Sequence, residues 1–568
     1  STHPAIERNA FHPLSGNAII AAVIEPLDAL SFQSTIARTR GAALVLFARE
    51  SDPQLKSMRL LLESAAASRD WSLFWVDPAF DPSWAQHLGL TALPSLWLYV
   101  DGDYHANVLA MPGVSGLSRP AAIAAAEQGA TVALIGHGII GGTCVNVGCV
   151  PSKTMIRAAE ALHGARAASR FPGLVGEAYV DDWHGLIAAK DDLVSTLRQK
   201  KYADLLPEYD GIAYLEGAAR LNGAGVLVEG DPVAAEKIII ATGGRPAVPP
   251  IPGIETVSYL TSTTLLELKN LPKSLIVIGG GYIGAELAQM MARMGVEVTV
   301  VCRSRLLPQV EPEVSYALAA AFRAEGITLY CGITYDACRE DETGVTVCVS
   351  EGGELVELTA ERLLVATGRT PNTETLGLAE AGVAQDGRGA IVVDDHMRTS
   401  KAGVYAAGDV TDRDQFVYMA AYGAKLAAKN ALNSESVAYE NSAMPWVVFT
   451  DPQVAGVGLS EAAAKAAGHE IKTSIVPLDQ VPRALAARDA RGLIKLVADA
   501  KTDRLLGGQI LAPEGADSIQ TLAMALKFGM TAKALGETIF PYLTTVEGLK
   551  LAAQTFDKDV AMLSCCAG

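Results

Sequence analysis

Apolar positions fall into short runs alternating with helical stretches, and the character of that alternation changes near residue 119. Before it, Ala43–Phe47 and Trp71–Val76 are apolar runs of strand length, with a helical pattern from Met58 to Ala67 between them. Thr91–Gly102 reads as strand and turn, and Asn107–Met111 as a last strand, giving the order β-α-β-α-β-β. From residue 119 onward, strands and helices alternate around glycine turns, as in a doubly wound α/β protein. Ala121–Gln128 reads as a helix and Thr131–Ile135 as a strand. The strand Ile238–Ile240 runs into Ala241-Thr242-Gly243-Gly244 and closes a first lobe. A second unit opens at Leu275 and ends on Ala366-Thr367-Gly368-Arg369, which repeats the Ala-Thr-Gly step. Val404–Asp409 then returns to the first lobe. The pattern predicts a discontinuous first dinucleotide-binding, Rossmann-like domain (119–270 and 391–443). A second such domain spans 271–390, an α+β domain spans 444–568, and residues 1–118 form a separate N-terminal unit.

Composition narrows the class. Of 568 residues, 50% are hydrophobic and 19% charged, so large cores form and wholesale disorder is excluded. The net charge of −17 argues against a nucleic-acid binder, which needs basic patches. No apolar run approaches the roughly 20 residues of a membrane helix, and no basic-then-apolar leader is present, so a cytoplasmic protein is expected. The eight cysteines are Cys144, Cys149, Cys302, Cys331, Cys338, Cys348, Cys565 and Cys566. So few in so long a chain do not make a secreted disulfide framework. The two close pairs point to redox or soft-metal chemistry.

Four motifs carry that chemistry. In Gly141-Gly142-Thr143-Cys144-Val145-Asn146-Val147-Gly148-Cys149-Val150-Pro151-Ser152-Lys153, two cysteines five apart stand at the start of a helix, whose N-terminus stabilises a thiolate. In Gly279-Gly280-Gly281-Tyr282-Ile283-Gly284, Gly279 makes the tight turn, Gly281 admits a pyrophosphate and Gly284 allows close helix packing. The strand that follows ends in Cys302-Arg303-Ser304-Arg305, where an NAD enzyme carries an acid. Arg303 and Arg305 suit the 2′-phosphate of NADPH, and a solvated basic turn is the alternative. Gly408-Asp409 follows an apolar strand. Cys565-Cys566 lie near the chain end, where two soft thiolates on a short tail suit a linear-coordinating ion.

The dithiol motif matches, residue by residue, that of the flavin-dependent pyridine nucleotide-disulfide oxidoreductases. Residues 119–568 resemble the mercury(II)-reducing branch of that family, also through Phe540–Leu551 and the Cys-Cys-Ala-Gly end. The resemblance implies NADPH-dependent reduction of Hg(II) to Hg(0) through FAD and the pair Cys144–Cys149, in a homodimer supplied with Hg(II) by small thiols. Cys149 would lie nearer the flavin, Cys144 would be the outer thiol, and Lys153 would pair with Glu286 beside the flavin. Tyr202 and Tyr542 would flank the metal, and Cys565 and Cys566 of the other subunit would deliver it to Cys144 and Cys149. FAD would meet Ser118, Gly138, Gly142, Thr143, Lys153, Ala219, Thr242, Gly243, Asp409 and Val417. NADPH would meet Gly279, Gly281, Gly284, Arg303 and Arg305. Relatives that reduce organic disulfides carry a catalytic histidine near Tyr542. None stands there here, which favours a metal ion over a disulfide such as dihydrolipoamide's. A flavin-poor scaffold that binds soft metals is the non-enzymatic alternative.

Two places depart from the family. The first dinucleotide turn falls on Gly113-Val114-Ser115-Gly116-Leu117-Ser118 and is followed by Arg119-Pro120, where the family has a plain helix. Gly136 stands where a glutamate grips the adenosine ribose. Looser FAD binding is expected. Residues 1–118 resemble a thioredoxin-like domain around Leu93-Pro94-Ser95. The proline, cis in that family, is Pro94, and Ser51-Asp52-Pro53-Gln54 replaces the Cys-x-x-Cys, so no disulfide exchange is expected.

Overall fold

The computed structural model describes residues 118–559, apart from 210, 224, 434 and 435, and the backbone of five strands before them. Those strands are β1 (Glu25–Leu27), β2 (Ala42–Phe47), β3 (Trp71–Val76), β4 (Ser95–Val100) and β5 (Asp103–Asn107). Ser51–Gln54, Pro94, Gly113–Leu117, Cys565 and Cys566 lie outside the described residues. The chain divides into two compact units, Ser1–Met111 and Pro112–Gly568.

The N-terminal unit holds a mixed five-stranded sheet in the order β1-β3-β2-β4-β5. β2 is parallel to β3 and antiparallel to β4. The structure describes a strand at β5, which reaches only the first residue of the expected last strand Asn107–Met111; Val108–Met111 lie outside the described residues. Val100 pairs directly with Asp103 in the antiparallel β4–β5 ladder.

In the larger unit, α1 (Ser118–Ala126) carries Pro120 in its first turn. No backbone N–H is needed there, so the departure at Arg119-Pro120 leaves the helix intact. α1 packs Ala121 against Ala424 and Ala427 on one side and Ala122 against Leu134 and Leu206 on the other. The strand Val132–Gly136 pairs in parallel with Ile212–Glu216, which sets Gly136 opposite Glu216. Ile238–Ile240 pairs in parallel with Val404–Ala406, so a strand from 391–443 completes the lobe begun at 119–270.

The second lobe is regular. β6 (Ser274–Ile278) and β7 (Glu297–Cys302) are parallel neighbours, and β8 (Thr328–Cys331) lies beyond β7. Leu275, Ile276, Val277 and Ile278 are all at most 1% exposed, the continuous apolar run of a strand covered on both faces. α2 (Tyr282–Arg293) follows β6 directly. From Pro445 on, a five-stranded antiparallel sheet forms a third body. It is tied to the second lobe by buried charges. Arg293, 4% exposed, pairs with Glu325 at 2.7 Å and with Asp451 at 2.9 Å. Arg491 reaches Glu325, Asp451 and Asp489. Among the described residues, no helix is long and apolar enough to cross a membrane.

Candidate active site

The site begins with two short elements. α3 (Gly142–Asn146) carries Cys144 in its middle, and α4 (Cys149–Arg166) opens on Cys149. Gly148 joins them. A Cβ there would stand 2.8 Å from the Thr143 carbonyl oxygen and 3.2 Å from Cys144 Cα, so only glycine lets the second helix close over the first thiol. The sequence motif quotes Gly148 without giving it this role. Gly138, Gly141 and Gly142 take φ of 86°, 122° and 74°. This left-handed run is open only to glycine and keeps side chains off the approach to the dithiol. Asn146, buried, donates to the carbonyls of Ile140 and Gly142 and accepts from Arg198 Nε at 2.8 Å, which locks the turn.

Both thiols are free. Cys149 is lowered to about 7, first because the Cys144 thiol donates to it and further because the Lys153 ammonium is close. Burial and the Glu286 carboxylate oppose this. Cys144, as the donor, is raised. The pair therefore loses its first proton from Cys149, at the N-terminus of an 18-residue helix. Lys153 lies one turn along that helix, and its Nζ donates to Glu286 Oε2 at 2.6 Å. Glu286 is buried on α2, and its other oxygen accepts from the Phe449 backbone N–H at 2.9 Å. The Lys153 ammonium also lies 5.1 Å from the Phe449 ring centre. Phe449 is a site residue that sequence reading misses, because it is 163 positions from Glu286 and belongs to no motif.

Tyr202 lies beside the dithiol. Burial, and then the charge on Cys144, raise its phenol, so it stays a proton donor. Arg119 stacks on its ring at 4.6 Å and donates to the Lys201 carbonyl. A further aromatic group, which no sequence motif marks as a whole, packs around α2. Tyr282, the first residue of α2, stacks on Trp446 with ring centres 5.6 Å apart and lies 6.2 Å from Phe416, which stacks on Tyr418. Tyr542 is half exposed in the third body.

The second glycine motif fits a dinucleotide. Gly279 has φ 116°, and a Cβ on it would meet the Ala366 carbonyl oxygen at 2.3 Å. One on Gly284 would meet the Gly279 oxygen at 2.1 Å, and one on Gly281 would meet nothing within 4 Å. The first two glycines let the turn and helix close, and the third leaves room for a phosphate at the helix N-terminus. Arg303 is exposed at the end of β7. Arg305 differs from expectation, because its Nη2 donates to the carbonyls of Pro308 and Val310 at 2.9 and 2.7 Å. That group braces the loop. Its Nε is buried without a partner, an orphaned donor at the turn that an arriving phosphate would satisfy.

At the other cofactor position, Thr242 Oγ1 donates to the Asn372 carbonyl and Gly243 has φ 69°. Asp409 follows Gly408, at φ 79°, and accepts from Arg369 Nε at 2.9 Å. Ala219 opens a strand, Val417 opens the helix Val417–Leu432, and Ser118 opens α1. The flavin end of this surface fits its group, with the glycine run, Thr143 and Lys153 together. The adenosine end carries buried Gly136 and no acid at that position. Among the described residues, no three side chains of the His, Cys, Asp and Glu types are grouped to hold a metal, so soft-ion chemistry there rests on paired thiols.

Comparison with known proteins agrees with this geometry. Residues 113–428 match the pyridine nucleotide-disulphide oxidoreductase family, and residues 444–553 match the dimerisation domain of the same family. The chain is 46% identical over 470 residues to a mercuric reductase of Bacillus cereus, covering 82% of this chain and 74% of that one. It is 47% identical over 486 residues to a mercuric reductase of Shigella flexneri, covering 82% and 84%. A solved HOCl-induced flavoprotein disulfide reductase of Escherichia coli is similar at TM-score 0.69 and 31% identity, covering 77% of this chain and 98% of that one.

Proposed function

We infer that this chain, which belongs to the pyridine nucleotide-disulphide oxidoreductase family, is a homodimeric mercury(II) reductase using FAD and NADPH. The observation that carries the reading is the dithiol, with Cys149 poised as a thiolate near pH 7 beside the Lys153–Glu286 pair. No histidine stands in Phe540–Leu551 to shuttle protons to an organic thiol.

Bound FAD and NADPH would supply the electron pair. Gly138, Gly142, Thr143, Lys153, Thr242, Gly243 and Asp409 would hold the first, and Gly279, Gly281, Gly284 and Arg303 the second. Cys149 offers the first sulfur to Hg(II). Cys144 gives up its proton as the second bond forms, and the ion is then held by two thiolates. Lys153 keeps positive charge at the Cys149 end, and Glu286 fixes the ammonium in place. Tyr202 stays protonated and presents its phenol to the Cys144 side. Two electrons reduce the ion to Hg(0), which leaves because a neutral atom has little affinity for thiolate, and both sulfurs remain reduced.

Tyr542, from the partner subunit across the dimer, would complete the far wall of this site. Cys565 and Cys566 would take the ion from small thiols and pass it inward by ligand exchange. The expected compartment is the cytosol, a reading supported by the six described cysteines, all free thiols. Residues 1–118 would act as a binding module without thiol chemistry, supported by Ser51 and Gln54. The test is anaerobic NADPH oxidation with Hg(II) in excess small thiol, with trapping of volatile mercury. One Hg(0) released per NADPH consumed is expected. Turnover of an organic disulfide with no mercury vapour would overturn the assignment.

A further inference from the structure

The chain holds a third thiol pair, which the reaction does not use. Cys302 ends β7 and Cys331 ends β8, and the two are register partners across parallel strands. Their side chains therefore share one face, and the sulfurs stand 3.3 Å apart. Cys302 is 4% exposed and Cys331 is half-buried, so the pair has a closed end and an open end.

The closed end lies against the nucleotide turn. A Cβ on Gly280 would stand 3.2 Å from Cys302 Sγ and 3.4 Å from Leu306 Cα. The Gly280 carbonyl accepts from Leu307 N–H at 2.7 Å, so turn and loop are joined. Beyond Cys331, Cys302 Sγ has a weak local acceptor in the Ser304 carbonyl at 3.8 Å. Arg303, the residue best placed for the 2′-phosphate, is its immediate neighbour.

We propose that Cys302 and Cys331 form a second binding site for a thiophilic, linear-coordinating ion such as Hg(II), and that its occupation weakens nucleotide binding at the Gly279–Gly284 turn. The assignment rests on geometry. Two thiols on adjacent in-register strands can chelate one ion without unfolding either strand. A linear sulfur–metal–sulfur unit spans about 4.6 Å, twice a metal–sulfur bond of about 2.3 Å, so the pair must open by roughly 1.3 Å. Cys331 has room on the open side. Cys302 is wedged beneath Gly280, so part of that opening is transmitted to the turn.

The exchange balances without redox chemistry. An ion carried by two small-molecule thiolates forms two bonds to Cys302 and Cys331. Both carriers leave, one of them taking the Cys302 proton. The Cys331 thiol is held near 7, chiefly by the donating Cys302 thiol and also by Arg323, while Glu351 opposes, so a thiolate is present to begin the exchange. The consequence is substrate inhibition. At high Hg(II), the ion occupies this pair as well as the catalytic one and competes with the reductant.

The test uses the full-length holoenzyme with no reductant, so that nothing turns over and the outcome is independent of mercury reduction. The probe is Hg(II) bis-cysteinate, bound mercury per chain is counted by mass spectrometry after gel filtration, and NADP⁺ affinity is read by titration calorimetry. The native protein should bind one more Hg(II) per chain than Cys331→Ala, and mercury loading should raise its NADP⁺ Kd about tenfold, within the usual range of coupling between sites. Cys331→Ser preserves size if the alanine variant folds poorly, and Cys338→Ala should behave as the native protein does. Equal mercury content in the native protein and both Cys331 variants would overturn the site. A difference in mercury with unchanged NADP⁺ affinity would overturn the coupling.

Discussion

Replacing Lys153 by methionine tests the electrostatic reading of the dithiol. The substitution keeps the length of the side chain and removes one positive charge beside Cys149. An opposite charge within about 4–6 Å lowers an acid by roughly 1–3 pKa units. Lys153 is already neutralised in part by Glu286 at 2.6 Å, so the low end applies. One unit corresponds to about 1.4 kcal/mol, and Cys149 should rise from about 7 to about 8. At neutral pH its thiolate fraction then falls from about a half to about a tenth. Glu286→Gln should act with the opposite sign, because it removes the charge that opposes the thiolate and leaves the ammonium. The assay is the pH dependence of iodoacetamide alkylation of the reduced protein, with Cys149 located by tandem mass spectrometry in the tryptic peptide that contains it, which ends at Arg157 once Lys153 is replaced. Reactivity should rise with pH through a midpoint that moves up in Lys153→Met and down in Glu286→Gln. Midpoints that stay put, or move together, would refute the claim that this ion pair sets the thiol.

Arg303→Glu should shift preference from NADPH toward NADH by at least about tenfold, from a charge-assisted bond of roughly 1.5–3 kcal/mol. Arg305→Glu should chiefly loosen its loop, so steady-state kinetics with both nucleotides that rank the two arginines the other way would contradict the geometry. Glu325→Ala leaves Arg293 buried with half its carboxylates gone, and urea denaturation should show a loss of about 3–5 kcal/mol. Gly136→Glu should slow FAD loss on dialysis, because an added acceptor contributes roughly 0.5–1.5 kcal/mol; unchanged retention would mean the ribose is held elsewhere. Mixing Cys144→Ala/Cys149→Ala chains with Cys565→Ala/Cys566→Ala chains should restore mercury turnover in proven heterodimers, and no rescue would mean the tail does not act across the dimer.

The sequence makes legible whatever is encoded locally. Gly279, Gly281 and Gly284 sit within six residues of one another between a strand and a helix, and each steric reason is visible in their spacing. The dithiol is legible for the same reason. The Lys153–Glu286 pair, 133 positions apart, was reached only through family resemblance. Phe449, the aromatic group around Tyr282 and the Arg293–Glu325–Asp451 cluster were not reached, because no periodicity marks residues brought together by lobe packing. Cys302 and Cys331 look scattered in the sequence, and only strand register makes them neighbours. Arg305 shows what position alone leaves out: its Nη2 donates to two loop carbonyls, while its Nε is left without a partner at the turn.

The Glu286 carboxylate bears on how such a protein can be altered by recombination. One oxygen takes a proton donor from the helix that opens on Cys149, and the other takes a backbone N–H from the third body, while the residue itself belongs to the nucleotide lobe. Three segments thus converge on a single functional group. A nucleotide lobe transplanted from a relative would fold on its own sheet. It would leave Lys153 and Phe449 without their common acceptor unless it brought an acid to this one helical position. Chimeras that keep this glutamate should survive crossovers at the lobe boundaries, and those that lose it should fail although both parents are sound.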